Sequence, residues 1–156
     1  MLFAIQARQG LMLLTGESGS GKTTLVQQLL DTLSHQGVST AYIFYSSLGV
    51  EDLFQFVLEG LGVTCKSNRK GDVIRVLHRW LLQRTMVGDT PVIIIDEAQT
   101  VPAGTLDELR LLLNLESSDG KLVQIVLAGQ LEIESEPRAG TAVSASLPAI
   151  PLGESK

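Results

Sequence analysis

Apolar residues along the chain alternate between short unbroken runs and segments with helical spacing. Leu11-Met12-Leu13-Leu14-Thr15 is a compact apolar run that ends in a glycine-rich stretch, which predicts a strand followed by a tight turn. From Lys22 to about Gln36, Leu25, Leu29, Leu30 and Leu33 recur at the spacing of one helix face, and Gly37 stands where helices commonly end. Ala41 to Tyr45 is β-branched and aromatic enough to predict a second strand. Asp52 to Leu61 predicts a helix, with Gly60 and Gly62 weakening its end. Asp72 to Met86 is the clearest amphipathic segment: Val73, Leu77, Trp80 and Leu81 mark one face, and Arg75 and Arg79 sit on another. Pro91 to Asp96 contains Val92-Ile93-Ile94-Ile95 with no period-two alternation, as expected of a central parallel strand covered on both faces. Thr105 and Glu108 have the spacing of a capping box, in which each side chain satisfies a free backbone donor of the other, ahead of a leucine-rich helix to about Glu116. Leu122 to Leu127 predicts another strand. Strands separated by helices predict an α/β fold, three layers deep, with right-handed crossovers and a mainly parallel sheet.

The end of the chain is different. From Glu134 to Lys156, Ala, Ser, Pro and Gly predominate, and Val143 and Leu147 are the large apolar residues before Ile150. Residues 1–133 are therefore read as one core domain and 134–156 as an irregular or divergent tail. The full length of 156 residues and an apolar fraction of 44% suit a single folded domain and exclude a wholly disordered chain. The run Val92–Ile95 is far short of the ~18 apolar residues that span a bilayer. Met1 to Ile5 has no basic residue ahead of its apolar stretch, so it does not read as a signal peptide. The single cysteine, Cys65, excludes an internal disulfide and a cysteine-based zinc site, and a reducing cytoplasm fits. His35 and His78 are far apart with no partner at metal spacing and read as surface residues.

Net charge is −5, weakly against nucleic acid as a default partner, but the distribution is uneven. Six of the twelve Lys and Arg fall between Lys66 and Arg84 against one acid, Asp72, giving that segment +5; the other six bases face sixteen acids, −10. A solvated helix face is the commoner origin of such a cluster, and a DNA or acidic membrane contact is the alternative. Trp80, on the apolar face, reads as core rather than as a stacking platform.

The chemistry concentrates in two motifs. Gly16-Glu17-Ser18-Gly19-Ser20-Gly21-Lys22-Thr23 has the form G-x-x-x-x-G-K-[ST], after a strand and at the start of a helix. Glycines let the backbone turn tightly and bring N–H groups to phosphate oxygens, and the helix start directs its positive dipole end at the same anion. Lys22 would reach the β- and γ-phosphates and the Thr23 hydroxyl would ligate Mg²⁺, while Thr24 either touches the α-phosphate or faces solvent. In Ile94-Ile95-Asp96-Glu97-Ala98-Gln99 an acidic pair follows a buried strand, at the end where ligands bind in open α/β sheets. Asp96 is placed to hold the Mg²⁺ shell through water, and Glu97 to orient and polarise an attacking water. Gln130, just past the strand Leu122–Leu127, either touches the γ-phosphate or the water, or is a solvent-facing loop residue.

Taken with Glu108 to Glu116 and Gln124-Ile125-Val126-Leu127-Ala128-Gly129-Gln130, these stretches resemble AAA+-type P-loop ATPases of the additional-strand catalytic-glutamate class. More narrowly, they resemble the general secretion pathway A (ExeA-like) ATPases and related transposition helper ATPases, over about Leu2 to Glu132. The resemblance implies an ATP-dependent motor or switch, usually a homo-oligomer, with Gln130 at the sensor position. It implies cytoplasmic partners in a secretion or envelope-assembly apparatus at the inner membrane, or alternatively transposase and DNA. The family also has a fifth strand beside the first and a helical lid, neither recognisable here, and Arg138 is a poor candidate for the family's arginine finger. The C-terminal part is therefore expected to be truncated or divergent. Without a fifth strand, Leu11–Leu14 would form an apolar sheet edge, and the chain is expected to self-associate through it.

The leading reading is Mg²⁺-dependent ATP hydrolysis. The alternatives are a nucleotide-dependent DNA- or transposase-binding module with little turnover, a non-functional ATPase fragment, and a P-loop small-molecule kinase; Glu97 beside Asp96 argues against the kinase. Arg110 is read as pairing with Asp107 or Glu108, with contact to a neighbouring subunit as the less favoured alternative.

Overall fold

The computed structural model describes residues 10–16, 21–44 and 49–130, together with the backbone of Ala149–Pro151. Strand β1 spans Leu11–Thr15, helix α1 Lys22–His35, β2 Thr40–Ile43, α2 Val50–Leu61, α3 Lys70–Met86 and β3 Val92–Ile95. A single 3-10 turn at Ala98–Thr100 leads to α4, Ala103–Leu111, and a second 3-10 turn covers Leu112–Asn114. A small antiparallel hairpin pairs β4, Glu116–Ser117, with β5, Gly120–Lys121. β6, Gln124–Gly129, and β7, Ala149–Pro151, complete the described elements.

The main sheet has the order β2-β3-β6-β1-β7, and every pairing in it is parallel. Sequence alternation within each strand sorts side chains to two faces. Met12, Leu14, Val92, Ile94, Val126 and Ala128 pack with Val26, Leu29 and Leu33 of α1. Leu11, Leu13, Ile93, Ile95, Ile125 and Leu127 face the other way, against α2, α3 and α4. Both faces are thus covered, which is why Val92 to Ile95 carries no polar residue and is 0% exposed throughout. The three-layer α/β fold expected from the sequence is the one observed.

Two local features follow from small residues. Gly62 closes α2 with φ +75°, a left-handed conformation that glycine adopts without a steric penalty. Gly60 sits against β2: a Cβ there would lie 2.8 Å from Ala41 Cβ and 3.0 Å from Ala41 Cα. Gly60 therefore sets the spacing between helix and sheet rather than only weakening a helix end.

The structure corrects several expectations. Thr105 is not a cap: α4 begins two residues earlier, behind Pro102, which makes no side-chain cap bond. Thr105 is buried at 3% exposure inside the first turn, and Glu108 is bound to Lys70 at 2.5 Å instead of reaching back. Pro102 sets this start because its fixed φ suits entry into a helix. The leucine-rich helix ends at Leu111, not near Glu116, because the chain tightens into a 3-10 turn and then enters the hairpin.

The largest correction concerns the sheet edge. A fifth strand exists where the sequence shows no strand pattern, with Leu13 opposite Ala149, Leu14 opposite Ile150 and Thr15 opposite Pro151. It covers β1 over those three positions, so β1 is an interior strand there and the ground for edge-driven self-association is removed. The remainder of 134–156, with Arg138, lies outside the described residues, as do residues 1–9.

Candidate active site

The sheet order brings the two sequence motifs together. β6 lies between β1 and β3, with Thr15 opposite Gly129 and Ile95 opposite Leu127. The residues after β1 and β3 therefore flank the C-terminal end of β6, about 10 Å apart by ordinary strand spacing. Gly16 continues the ladder by donating its N–H to the Gly129 carbonyl at 3.2 Å.

On the β1 side, Gly21 has φ +93° and precedes α1, which has no side-chain cap bond. The first-turn N–H groups of a helix have no intrahelical acceptor, so this start presents donors and a positive dipole end. Lys22 is 6% exposed, and its Nζ donates to the Gly16 carbonyl at 2.7 Å. The amine is thus held against the loop it belongs to. Gly21, Thr23 and Thr24 are exposed. Glu17, Ser18, Gly19 and Ser20 lie outside the described residues.

On the β3 side, Asp96 is 3% exposed and its carboxylate is held at both oxygens. Oδ1 accepts the Glu97 N–H at 2.9 Å and Oδ2 accepts the Tyr42 hydroxyl at 2.8 Å. Its own N–H donates to the Ile43 carbonyl at 2.7 Å. Burial pushes the Tyr42 hydroxyl well above its usual range; the bond to Asp96 and the charges of Asp96 and Glu97 add to this, and a bond with Gln27 opposes it. Tyr42 therefore stays a protonated donor to Asp96 across the ordinary pH range. Phe44 stacks on its ring at a centroid distance of 5.8 Å.

Glu97 is exposed and has φ +53°, the left-handed non-glycine residue among those described. Its Oε2 accepts Gln99 Nε2 at 2.6 Å. Gln99 Oε1 in turn accepts the backbone N–H of Gln130 at 3.1 Å. Gln130 is thereby tied to the acidic motif through its main chain.

Tyr42 and Gln99 were not singled out from the sequence. Tyr42 had one available signal: it is the penultimate residue of a strand parallel to β3, but only the register shows that it meets Asp96. Gln99 had none beyond its place in the motif.

Other singled-out residues make contacts of their own. Lys70 pairs with Glu108, Arg75 with Asp72, and Arg84 with Asp89 at 2.9 Å, so half of the basic cluster is in ion pairs. The Ser67 hydroxyl, then Arg75, hold the Asp72 carboxyl below its usual range. Trp80 packs partly buried against the core, with the Arg84 guanidinium 5.9 Å from its ring. Cys65 is partly buried and directs Sγ at the Ser67 carbonyl. Exposed His35 bonds the Asp31 carbonyl. Arg110 pairs with Asp107 at 3.5 Å. Among the described residues, no cluster of His, Cys, Asp and Glu is arranged to hold a metal by itself, and no helix is long and apolar enough to cross a membrane.

Known proteins share this chain's sequence and fold. The general secretion pathway protein A of Aeromonas hydrophila is 37% identical over 133 residues, covering 85% of this chain and 24% of that protein. The Mu-like prophage FluMu DNA transposition protein B of Haemophilus influenzae is 31% identical over 129 residues, covering 83% of this chain and 41% of that protein. The chain thus spans between about a quarter and two-fifths of the length of these relatives. The fold is also that of the Aeropyrum pernix ORC2 protein, solved as ADPNP-ADP complexes: TM-score 0.70, 18% identity, 97% of this chain and 44% of that one. The Aeropyrum pernix ORC1 protein in complex with DNA gives a TM-score of 0.63 at 20% identity, over 92% of this chain and 39% of that one. The family model described as the AAA domain matches residues 5–135, and the chain belongs to that family.

Proposed function

We propose that this domain binds Mg²⁺-ATP between the ends of β1 and β3 and hydrolyses it. The observation that carries the reading is the placement of Lys22 and the open start of α1 on one side of β6, with Asp96 and Glu97 on the other. Backbone N–H groups from Gly16 through Lys22, with the side chains of Lys22 and Thr24, would cradle the phosphates. Lys22 Nζ already lies at the loop, on a neutral carbonyl that an anionic phosphate oxygen would out-compete. Mg²⁺ would be held by the Thr23 hydroxyl and, through water, by Asp96, and supplies charge neutralisation at the β- and γ-oxygens. The donor set fits: hydroxyl and carboxylate oxygens suit a hard cation.

Glu97 presents an exposed carboxylate that would orient the attacking water and take up its proton as the water oxygen bonds to the γ-phosphorus and the bond from that phosphorus to the departing ADP breaks. Lys22 stabilises the developing charge. Gln130 stands at the position of a sensor.

Identity with the Aeromonas general secretion pathway protein A supports service to a secretion apparatus. The family resemblance adds the reading of a motor or switch for secretion or envelope assembly, working in the cytoplasm as a homo-oligomer. A transposition helper that engages DNA and transposase is the second reading, supported by the prophage relative. Ion pairing of Lys70, Arg75 and Arg84 lowers the free positive charge available for DNA and favours the first.

Glu97→Gln tests the enzymatic claim. It is expected to abolish turnover while ATP binding stays within about two-fold, since the substitution is isosteric and removes only the base. Turnover that survives Glu97→Gln would overturn the assignment.

A further inference from the structure

One side-chain amide at the site is used at both ends. Gln99 Nε2 donates to Glu97 Oε2 at 2.6 Å, and Gln99 Oε1 accepts the Gln130 backbone N–H at 3.1 Å. The partners fix which end is which. A backbone N–H only donates, so it requires the carbonyl end; a carboxylate only accepts, so it requires the NH₂ end. Reversing the amide would break both bonds. The bond to Glu97 has an ionised acceptor, which makes it charge-assisted.

The Glu97 main chain is fixed independently. Its N–H bonds Asp96 Oδ1, and its carbonyl accepts both the N–H and the hydroxyl of Thr100, at 3.0 and 2.8 Å. A left-handed non-glycine residue persists where its surroundings over-determine it. These contacts hold the backbone but not the carboxylate, which sits beyond three rotatable bonds on an exposed side chain. Gln99 supplies a side-chain donor that does hold it.

We propose that Gln99 is a positioning residue: it orients the Glu97 carboxylate and couples it to the end of β6. Gln130 then acts on the site through its main chain, by fixing the Gln99 amide, as well as through whatever its side chain touches. A shift of the segment at Gln130 is transmitted to the carboxylate through one amide plane. This rests on the reading of Glu97 as the group that orients water.

Two variants divide the bridge. Gln99→Ala removes both bonds. Gln99→Glu keeps an acceptor for the Gln130 N–H but replaces the donor to Glu97 with a second carboxylate. Amide hydrogen exchange at Gln130 is measured on the full chain without nucleotide, alongside ATP binding and steady-state turnover. Gln99→Ala is expected to speed Gln130 exchange about ten-fold, and Gln99→Glu to leave it near wild type. Both are expected to lower kcat about ten-fold with ATP affinity within about two-fold, a split that a merely structural role would not give.

Unchanged Gln130 exchange in Gln99→Ala overturns the bridge whether or not the chain turns over ATP. Unchanged kcat in both variants, with Glu97→Gln inactive, overturns the positioning role while the assignment of Glu97 stands. Turnover that survives Glu97→Gln overturns the assignment itself, and Gln130 exchange then reports on the bridge alone.

Discussion

Replacing Tyr42 by Phe deletes one hydroxyl and keeps the ring that stacks on Phe44. The hydroxyl donates to Asp96 Oδ2 at 2.8 Å, and Asp96 is 3% exposed, so the freed carboxylate oxygen gains little access to water. A hydrogen bond to a charged acceptor contributes about 1.5–3 kcal/mol, and the half-buried position of Tyr42 places the expectation near the lower end, at about 1.5–2 kcal/mol. In urea, with a slope of about 1.5–2 kcal/mol per molar for a domain of this size, the midpoint is expected to fall by roughly 1 M at neutral pH. The pH dependence gives a second reading. The folded-state titration of Tyr42 is raised, so its stabilising contribution is full below the unfolded tyrosine value of about 10 and is lost as pH rises beyond it. The wild-type protein loses stability through this route above about pH 10 and Tyr42→Phe does not, so the gap between them should narrow there. Urea titrations of both proteins at neutral pH and at about pH 11 measure both effects. A neutral-pH difference below about 0.5 kcal/mol would refute the view that Tyr42 supports Asp96, since it would place the bond within the noise of an ordinary surface substitution.

Three further substitutions probe the scaffold. Gly60→Ala gains about 1 kcal/mol of helix propensity but forces a Cβ to 2.8 Å from Ala41 Cβ, an overpacking cost of about 1–3 kcal/mol; a net loss in urea stability is expected, partly recovered by adding Ala41→Gly. Arg84→Ala leaves the Asp89 carboxylate, 7% exposed, without its cation; because Arg84 is itself 35% exposed, a loss of about 2–3 kcal/mol in urea stability is expected, below that of a fully buried pair. Gly21→Ala adds a Cβ that meets no described residue within 4 Å, so the left-handed backbone sets the expected effect, a destabilisation of about 1–2 kcal/mol by thermal melting.

Elements whose stability comes from local pattern were legible in the sequence. Val92 to Ile95 announces a buried strand because no polar residue is tolerated at either face, and Leu29 and Leu33 announce α1 because one face packs on the sheet. Gly16, Lys22 and Asp96 stood out because phosphate and metal chemistry would demand particular residue types at fixed positions along the chain, and the sheet order brings their segments to either side of β6. What the sequence hid depends on register or on partners distant in the chain. β7 is three residues long and includes Pro151, so it has neither the length nor the composition of a strand; it exists because β1 offers an edge. The capping-box spacing at Thr105 misled because Pro102 starts the helix earlier and Lys70, from α3, takes Glu108. Tyr42 and Gln99 act through bonds to residues on other strands, or at a strand's end, which no local spacing encodes.

The most direct measurement is the thermal melting of the purified chain with and without Mg²⁺-ATP, beside Lys22→Ala. At about 100 times Kd, ligand linkage supplies ~2.7 kcal/mol. For a domain of this size that corresponds to a rise in Tm of roughly 5–11 °C. The expected result is such a rise in the wild-type protein and its disappearance in Lys22→Ala, with both proteins melting cooperatively in the absence of nucleotide. A cooperative melt that ATP leaves unmoved, or a rise that Lys22→Ala retains in full, would contradict a nucleotide site between the ends of β1 and β3.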